Sequence, residues 1–328
     1  MSLAVSTHYD SQNYSSMIAP RLKRSALFAD FTEEQIQEMA SVFTPCDLSR
    51  DEYLFKQGDI GNFMVIISSG IMELEIDDSK GTRVFTKTLE PFDIVGEMTC
   101  LDPAPRSGSI KAQTDSEVLV LDRPSVEQLK NKYPKTYSKL LRTIWKRVSS
   151  RLNLTNDAIS QNTEANGEVP FAKRQDNMSK GFKYSGKVEL DENDSLQHFS
   201  PRELDTIAGV ARKVFYPRDS IIFRENDLGK SCHIIVTGEV TVYRDVGRSR
   251  FELGRLNNGD LFGQVALIEH RRRGATVVAS KDSVVLELSM MDFDRLVQSA
   301  TPFALRFQEL VTISSIRQLQ HANERYTG

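Results

Sequence analysis

The sequence predicts a mainly β protein with flanking helices, built as two tandem jelly-roll (double-stranded β-helix) domains. Three observations carry that reading. The chain repeats itself at a nearly fixed offset, each copy holds many short strands, and each copy is bracketed by helices. The repeat is plain where Tyr53 to Asp59 is set against Ile221 to Asp227. Phe55 falls on Phe223, Lys56 on Arg224 and Asp59 on Asp227, each pair 168 residues apart. The same offset carries Gly61 onto Gly229, Gly70 onto Gly238 and Phe31 onto Phe199. Further on it slips to 167, taking Gly96 to Gly263 and Arg106 to Arg273. A one-residue change fits the poorly matched loops near Ser79 to Arg83 and Asp245 to Arg250, since loops absorb insertions. Co-linear matches of this length mark a duplicated domain.

The elements of one copy follow in order. Ile36, Met39, Ala40 and Phe43 recur at helical spacing, and Thr32 with Gln35 three residues on has the form of a capping box. Short runs rich in Val, Ile, Phe and Tyr lie at 64–67, 71–76, 84–89, 109–113 and 118–121. Gly and Asp turns punctuate them, the pattern of a sandwich or jelly-roll barrel. A short helix from Pro124 to Leu129 stops at Tyr133-Pro134, because proline cannot continue the hydrogen-bond ladder. A longer helix then runs from about Thr136 past Leu154. Residues 162–187 are polar and aperiodic, as in a linker. The expected division is an N-terminal segment 1–26, a first domain 27–160, a linker 161–188 and a second domain 189–328.

Composition narrows the function. The 328 residues carry 42 Lys+Arg against 45 Asp+Glu, a net charge of -3, so nothing in the bulk charge seeks a polyanion. No apolar run approaches the roughly 20 residues that span a bilayer, and the densest, Phe63 to Ile67, is strand-sized. The first ten residues lack the basic start and apolar core of a secretory signal. Cys46, Cys100 and Cys232 are odd in number and form no CxxC pair, which reads as reduced thiols of a cytoplasmic protein. The five histidines are scattered, and no nucleophile-elbow, Walker or zinc-protease motif appears, so no enzyme is expected.

The sharpest chemical signal is Val95 to Ile110. Gly96 permits close backbone approach, and Glu97 to Leu101 can form one helical turn whose free N–H groups favour an anion. Pro105 stiffens the chain before Arg106, whose planar fork suits phosphate oxygens. Glu97 can accept from a sugar hydroxyl while holding Arg106 in place.

At these residues the chain resembles the cyclic-nucleotide-binding domain family, whose phosphate-binding cassette runs Phe-Gly-Glu-Leu-Ala-Leu, a variable stretch, then Pro-Arg-Ala-Ala-Thr-Val. The first copy matches without a gap through Gly96, Glu97, Pro105, Arg106 and Ile110. The second does so through Phe262, Gly263, Ala266, Leu267, Arg273, Ala275, Thr276 and Val277. The resemblance implies a first ligand site at Gly96, Glu97, Met98, Arg106, Ser107 and Ser109. There Glu97 would hold the ribose 2′-hydroxyl and Arg106 the cyclic phosphate. It implies a second, weaker site at Gly263, Gln264, Val265, Arg273, Gly274 and Thr276. Gln264 stands where the family has Glu, and a neutral hydrogen bond in place of a charged one loses about 1 kcal/mol. Arg271 and Arg272 oppose that loss by raising the local positive potential.

Residues Ser150 to Asn156 resemble the dimer helix of the bacterial catabolite activator proteins. The resemblance implies that Thr155 and Asn156 reach the purine of the first site. Leu141, Ile144, Val148 and Leu152 line one helix face, able either to pair two chains as a homodimer or to pack on their own barrel. Trp145 reads as packing or a dimer contact rather than a purine lid. Lys23 to Leu27 imitates the basic inhibitor segment of kinase regulatory subunits, although Leu27 also suits the packing of the opening helix. After the second barrel only about 299–328 remains, too short for a winged helix, so direct DNA binding is not expected.

Together these imply a non-enzymatic cytoplasmic cyclic-nucleotide receptor without cofactor, acting on a separate effector protein. The expected ligand is cyclic AMP, with cyclic GMP or cyclic di-GMP as alternatives. Ser107 and Gly274 stand where cGMP-selective members carry Thr. The reading from another class is an interaction scaffold with degenerate cassettes.

Overall fold

The run Phe63 to Ile67 is buried on both of its faces, which explains why it is apolar without alternation. A computed structural model describes residues 11–78, 80–165, 172–173, 181–186, 196, 198–246 and 249–327. Contacts divide the chain into two units, one running through Ile144 and the other starting at Trp145.

The first unit opens with helices α1 (Ser11–Arg24) and α2 (Glu33–Ala40). Strands β1 (Thr44–Leu48), β2 (Tyr53–Phe55), β3 (Ile60–Gly61), β4 (Phe63–Ser69), β5 (Met72–Asp77), β6 (Arg83–Leu89) and β7 (Ile94–Val95) follow. Then come α3 (Glu97–Leu101), β8 (Ala104–Pro105), β9 (Ser109–Ala112), β10 (Ser116–Asp122), α4 (Arg123–Lys132) and α5 (Pro134–Ala165). Two antiparallel sheets, in the orders β1-β10-β4-β7 and β2-β9-β5-β6, enclose a core that includes Leu54, Val65, Ile67, Met72, Ile110 and Val118. The capping box forms as the sequence predicts: Thr32 N donates to Gln35 Oε1 at 3.1 Å and Gln35 N to Thr32 Oγ1 at 3.2 Å. In the basic segment at Lys23 to Leu27 the two charged side chains stay exposed while Ser25 and Leu27 pack inward. Lys23 pairs with Glu33, the Ser25 hydroxyl is buried and donates to Phe92 O at 3.0 Å, and Leu27 and Phe28 are buried.

The second unit repeats the plan with α6 (Pro201–Val210), β13 (Arg212–Tyr216), β14 (Ile221–Phe223), β15 (Ser231–Thr237), β16 (Val240–Val246), β17 (Ser249–Leu256) and β18 (Leu261–Phe262). It continues through α7 (Gln264–Ile268), β19 (Thr276–Ala279), β20 (Ser283–Ser289), α8 (Met290–Val297) and α9 (Pro302–Thr327). Strand β15 shows the two-sided burial directly. Ile235 packs inside the barrel with Val214, Val240 and Val285, while Cys232, Ile234 and Val236 pack outward under Ile207, Phe293 and Phe307. Gly70 and Gly238, the clearest glycines of the repeat, have φ of +86° and +108°. At each, a Cβ would strike the carbonyl of the facing turn, Asp115 O at 2.6 Å or Asp282 O at 2.7 Å. The duplication therefore extends to backbone conformation.

Three expectations change. The helix after the first barrel runs to Ala165, and from Trp145 onward it belongs to the second unit. Its seam residues Leu141, Ile144, Val148 and Leu152 are all buried within the single chain. That face is therefore taken up internally and is not free to pair two chains. The described parts of the 161–188 linker also include two short strands, β11 (Ala172–Lys173) and β12 (Phe182–Lys183). They pair with the outer edges β17 and β13 of the second barrel's sheets. The rest of the linker beyond Ala165, the first ten residues, Ser79, residues 189–195, 197 and 247–248, and Gly328 lie outside the described residues. Among the described residues no helix is long and apolar enough to cross a membrane.

Candidate functional site

In the first unit β7 runs into Gly96, whose φ of +82° turns the chain into α3. A Cβ there would lie 2.8 Å from Phe63 O and would also strike the Arg106 guanidinium, so only glycine lets the arginine lie against the backbone. Arg106 is 4% exposed. Its Nη2 donates to Phe63 O at 2.9 Å and its Nη1 to Thr99 Oγ1. The guanidinium lies 4.0 Å above the Phe55 ring and 4.4 Å from that of Phe63, a two-ring cation–π shelf. Burial lowers its pKa to about 10, opposed by Cys100, Glu97 and Asp59, so it remains charged at neutral pH. Its Nε is buried with no hydrogen-bond partner.

The backbone around Arg106 is clamped by the loop after β2. Arg106 N donates to Asp59 O at 2.8 Å, and Gly58 N donates to Arg106 O at 2.9 Å. Asp59 shapes that loop by accepting from Lys56 N at 2.9 Å, and Ser109 Oγ accepts from Gln57 N at 2.9 Å. Ser109, expected as a ligand contact, also braces the turn. Glu97 is buried, as is Met98, while Ser107 is exposed at the loop.

The second unit reproduces the frame. Gly263 has φ +78°, Arg273 N donates to Asp227 O at 2.8 Å, and Asn226 N donates to Arg273 O at 2.9 Å. Arg273 Nη2 donates to Ser231 O at 2.7 Å, the counterpart of Phe63 O, and its guanidinium lies 4.0 Å over Phe223. Its pKa is likewise lowered to about 10 by burial, and its Nε is likewise buried without a partner. Thr276 Oγ1 accepts from Glu225 N at 3.0 Å, the role of Ser109. Gln264 is fully buried and turned toward α9, where its Nε2 donates to Ser315 Oγ at 3.1 Å and to Gln318 Oε1 at 3.2 Å. The extra arginines are engaged. Arg271 pairs with Glu269 at 2.8 Å and Arg272 donates to Asn226 O at 2.7 Å.

A cavity of about 120 Å³ lies beside Arg273, walled by Phe223, Phe262, Val265, Leu253 and Leu256 and roofed by Gln318 and His321 of α9. Asn156, expected at the first site, lines this cavity instead with Leu152 and Asn153, and Thr155 Oγ1 bonds Asn323 Oδ1 at 3.4 Å. The purine-side residues of α5 therefore sit with the second cassette. Sequence reasoning missed Phe63, Thr99, Ser231 and the α9 residues as neighbours of the arginines. Phe63 and Ser231 share the 168-residue offset and could have been found by extending the repeat. Trp145 is packing, as expected, 6.2 Å from the Phe293 ring. All three cysteines are free and buried, and burial pushes the Cys100 and Cys232 thiols up to about 12.

Two antiparallel barrels each hold a buried arginine behind a left-handed glycine, so the duplication extends to the geometry of the cassette. The chain belongs to the cyclic nucleotide-binding domain family, whose profile matches residues 45–133 and 213–300, together just over half of it. It is similar to the cAMP-dependent protein kinase type II regulatory subunit of Drosophila melanogaster, 23% identical over 277 residues, covering 84% of this chain and 60% of that one. The corresponding regulatory subunit of Schizosaccharomyces pombe is 25% identical over 298 residues, at 85% and 60% coverage. The cyclic AMP receptor protein of Thermus thermophilus is 30% identical over 100 residues, 30% of this chain and 46% of that one. The regulatory domain of Toxoplasma gondii PKA with cAMP aligns at a TM-score of 0.34 and 19% identity, covering 89% of this chain and 95% of that one. The chain thus spans about 60% of the length of the curated kinase relatives.

Proposed function

We propose that the protein is a non-enzymatic cyclic-nucleotide receptor of the cytoplasm that binds cyclic AMP and relays binding to a separate effector protein. The observation that carries this is the repeated orphan donor. In both cassettes the arginine Nε–H is buried without a partner, a state that ordinarily costs about 1–3 kcal/mol and that a phosphate oxygen would relieve. The names of the relatives support cyclic AMP as the ligand and a kinase as one kind of effector. Glu97, buried beside the arginine and acting on it by charge, is the acceptor for a ribose hydroxyl in the first cassette.

Isothermal titration with cyclic AMP, cyclic GMP and cyclic di-GMP tests the reading. Arg106→Ala is expected to lower affinity at the first site by roughly 2–5 kcal/mol, since it strands a desolvated phosphate. Wild-type affinity in that variant would remove the phosphate assignment. Tighter binding of cyclic GMP would instead promote Ser107 as a selectivity residue.

A further inference from the structure

The mouth of the second cassette is closed by α5, within the same unit. Asn153 Nδ2 donates to Glu269 Oε2 at 2.7 Å, and a Cβ on Gly274 would lie 3.0 Å from Asn153 Oδ1. One turn on, Asp157 forms an ion pair with Arg244. Arg244 Nη1 also donates to Gly274 O at 2.7 Å, the carbonyl directly after Arg273, and its Nε meets Glu225 Oε1 at 3.1 Å. The guanidinium therefore lies at the edge of the cassette itself. It borders a polar hollow of about 470 Å³ with Asn153, Asp157, Arg271, Arg272 and Arg273. Arg244 falls on Ile76 at the 168-residue offset, so this cation belongs to the second copy alone.

The carboxylates around the hollow differ in how firmly they are held. Glu225 has a side chain 14% exposed and also accepts from Asp245 N at 2.9 Å, while Glu269 is engaged by both Arg271 and Asn153. The Asp157 side chain is 43% exposed and rides on a helix rather than on the barrel. It is the exchangeable anion of the set. A phosphodiester carries the same single charge as a carboxylate, so replacing one by the other leaves the local charge unchanged.

We propose that Arg244 is an anion-binding residue of the second cassette, and that Asp157 is an internal competitor holding its place until the phosphodiester of a cyclic nucleotide takes it. This rests on the second barrel being a nucleotide site. Exchange frees the end of α5 from the barrel, so ligand binding and helix release become one event. The second copy then differs from the first in kind: it is a gated site.

Titration of cyclic AMP into chains carrying Arg106→Ala reads the second barrel alone. Adding Asp157→Asn is expected to tighten binding roughly tenfold, within the usual range of a coupling between sites. Asp157→Ser must give the same gain, and Arg244→Ala must abolish it. Amide exchange across 150–158 should quicken on saturation of the Arg106→Ala chain. Unchanged affinity in both Asp157 variants, or an equal gain with Arg244 absent, overturns the proposal. No binding in any variant, with a single equivalent bound when Arg106 is intact, overturns it too and removes the second barrel from the functional reading. The first barrel's role survives that outcome.

Discussion

The two cassettes hold their arginines by the same backbone and by different side chains. In both, Nη2 reaches the carbonyl at equivalent positions, Phe63 and Ser231, and the guanidinium lies on an equivalent phenylalanine. Nη1, however, bonds the Thr99 hydroxyl in one and the Gly263 carbonyl at 2.7 Å in the other, where Ala266 replaces the threonine. The carboxylate at Glu97 has likewise become Gln264, and the arginine has not moved. Backbone contacts survive sequence drift because any residue supplies them, so the frame of the site outlasts its chemistry. Loss of the carboxylate leaves the arginine in place and ties the new amide to Ser315 and Gln318 of α9 instead.

Substitution at the shared frame should produce the largest effects, equal in the two halves. Gly70→Ala and Gly238→Ala each force a Cβ onto a carbonyl at positive φ, and each is expected to cost about 2–4 kcal/mol in denaturant unfolding. A clear inequality between them would break the equivalence of the two barrels. Gln264→Glu comes next. It replaces a donor that serves Ser315 and Gln318 with a buried anion facing Gln318 Oε1. The expected loss is about 1–3 kcal/mol of stability in the second unit without ligand. Addition of cyclic AMP should recover part of that loss, and no recovery would show that the position no longer serves a ribose.

The smallest effect is a difference in acid response. His233 is buried and stacked 4.9 Å from Phe262, at the place Val65 occupies in the first barrel. Burial, followed by the charges of Arg273 and Arg212, holds its imidazole well below 6.5, so it is neutral when folded. The unfolded chain takes up a proton as pH falls below about 6.5, so the second unit loses up to about 1.4 kcal/mol per pH unit from there down to the folded value. Thermal unfolding at pH 5.5 and 7.5 should show this loss. His233→Val should abolish it, while the first unit is unaffected throughout.

The duplication was legible because glycine and aspartate mark backbone geometry directly: Gly70, Gly96 and Asp59 recur wherever the chain must turn or clamp. Strands β4, β5, β6, β9 and β10 were legible from their β-branched and aromatic residues. Strand β1 was not, since Pro45 and Asp47 disguise a strand at the edge of its sheet, where proline is tolerated. The stripe from Leu141 to Leu152 declared a buried face without declaring which unit buries it, because periodicity encodes a surface and not its partner. The Asp157–Arg244 pair joins residues 87 positions apart, a separation that no local pattern encodes.

The chain has a single tryptophan, and by sequence Trp145 belongs to the helix that follows the first barrel. It packs instead in the helical core of the second unit, near Phe293. Intrinsic tryptophan fluorescence is therefore a reporter of the second unit alone. A denaturation curve followed at that emission describes half of the molecule, and its divergence from circular dichroism measures how independently the two halves melt.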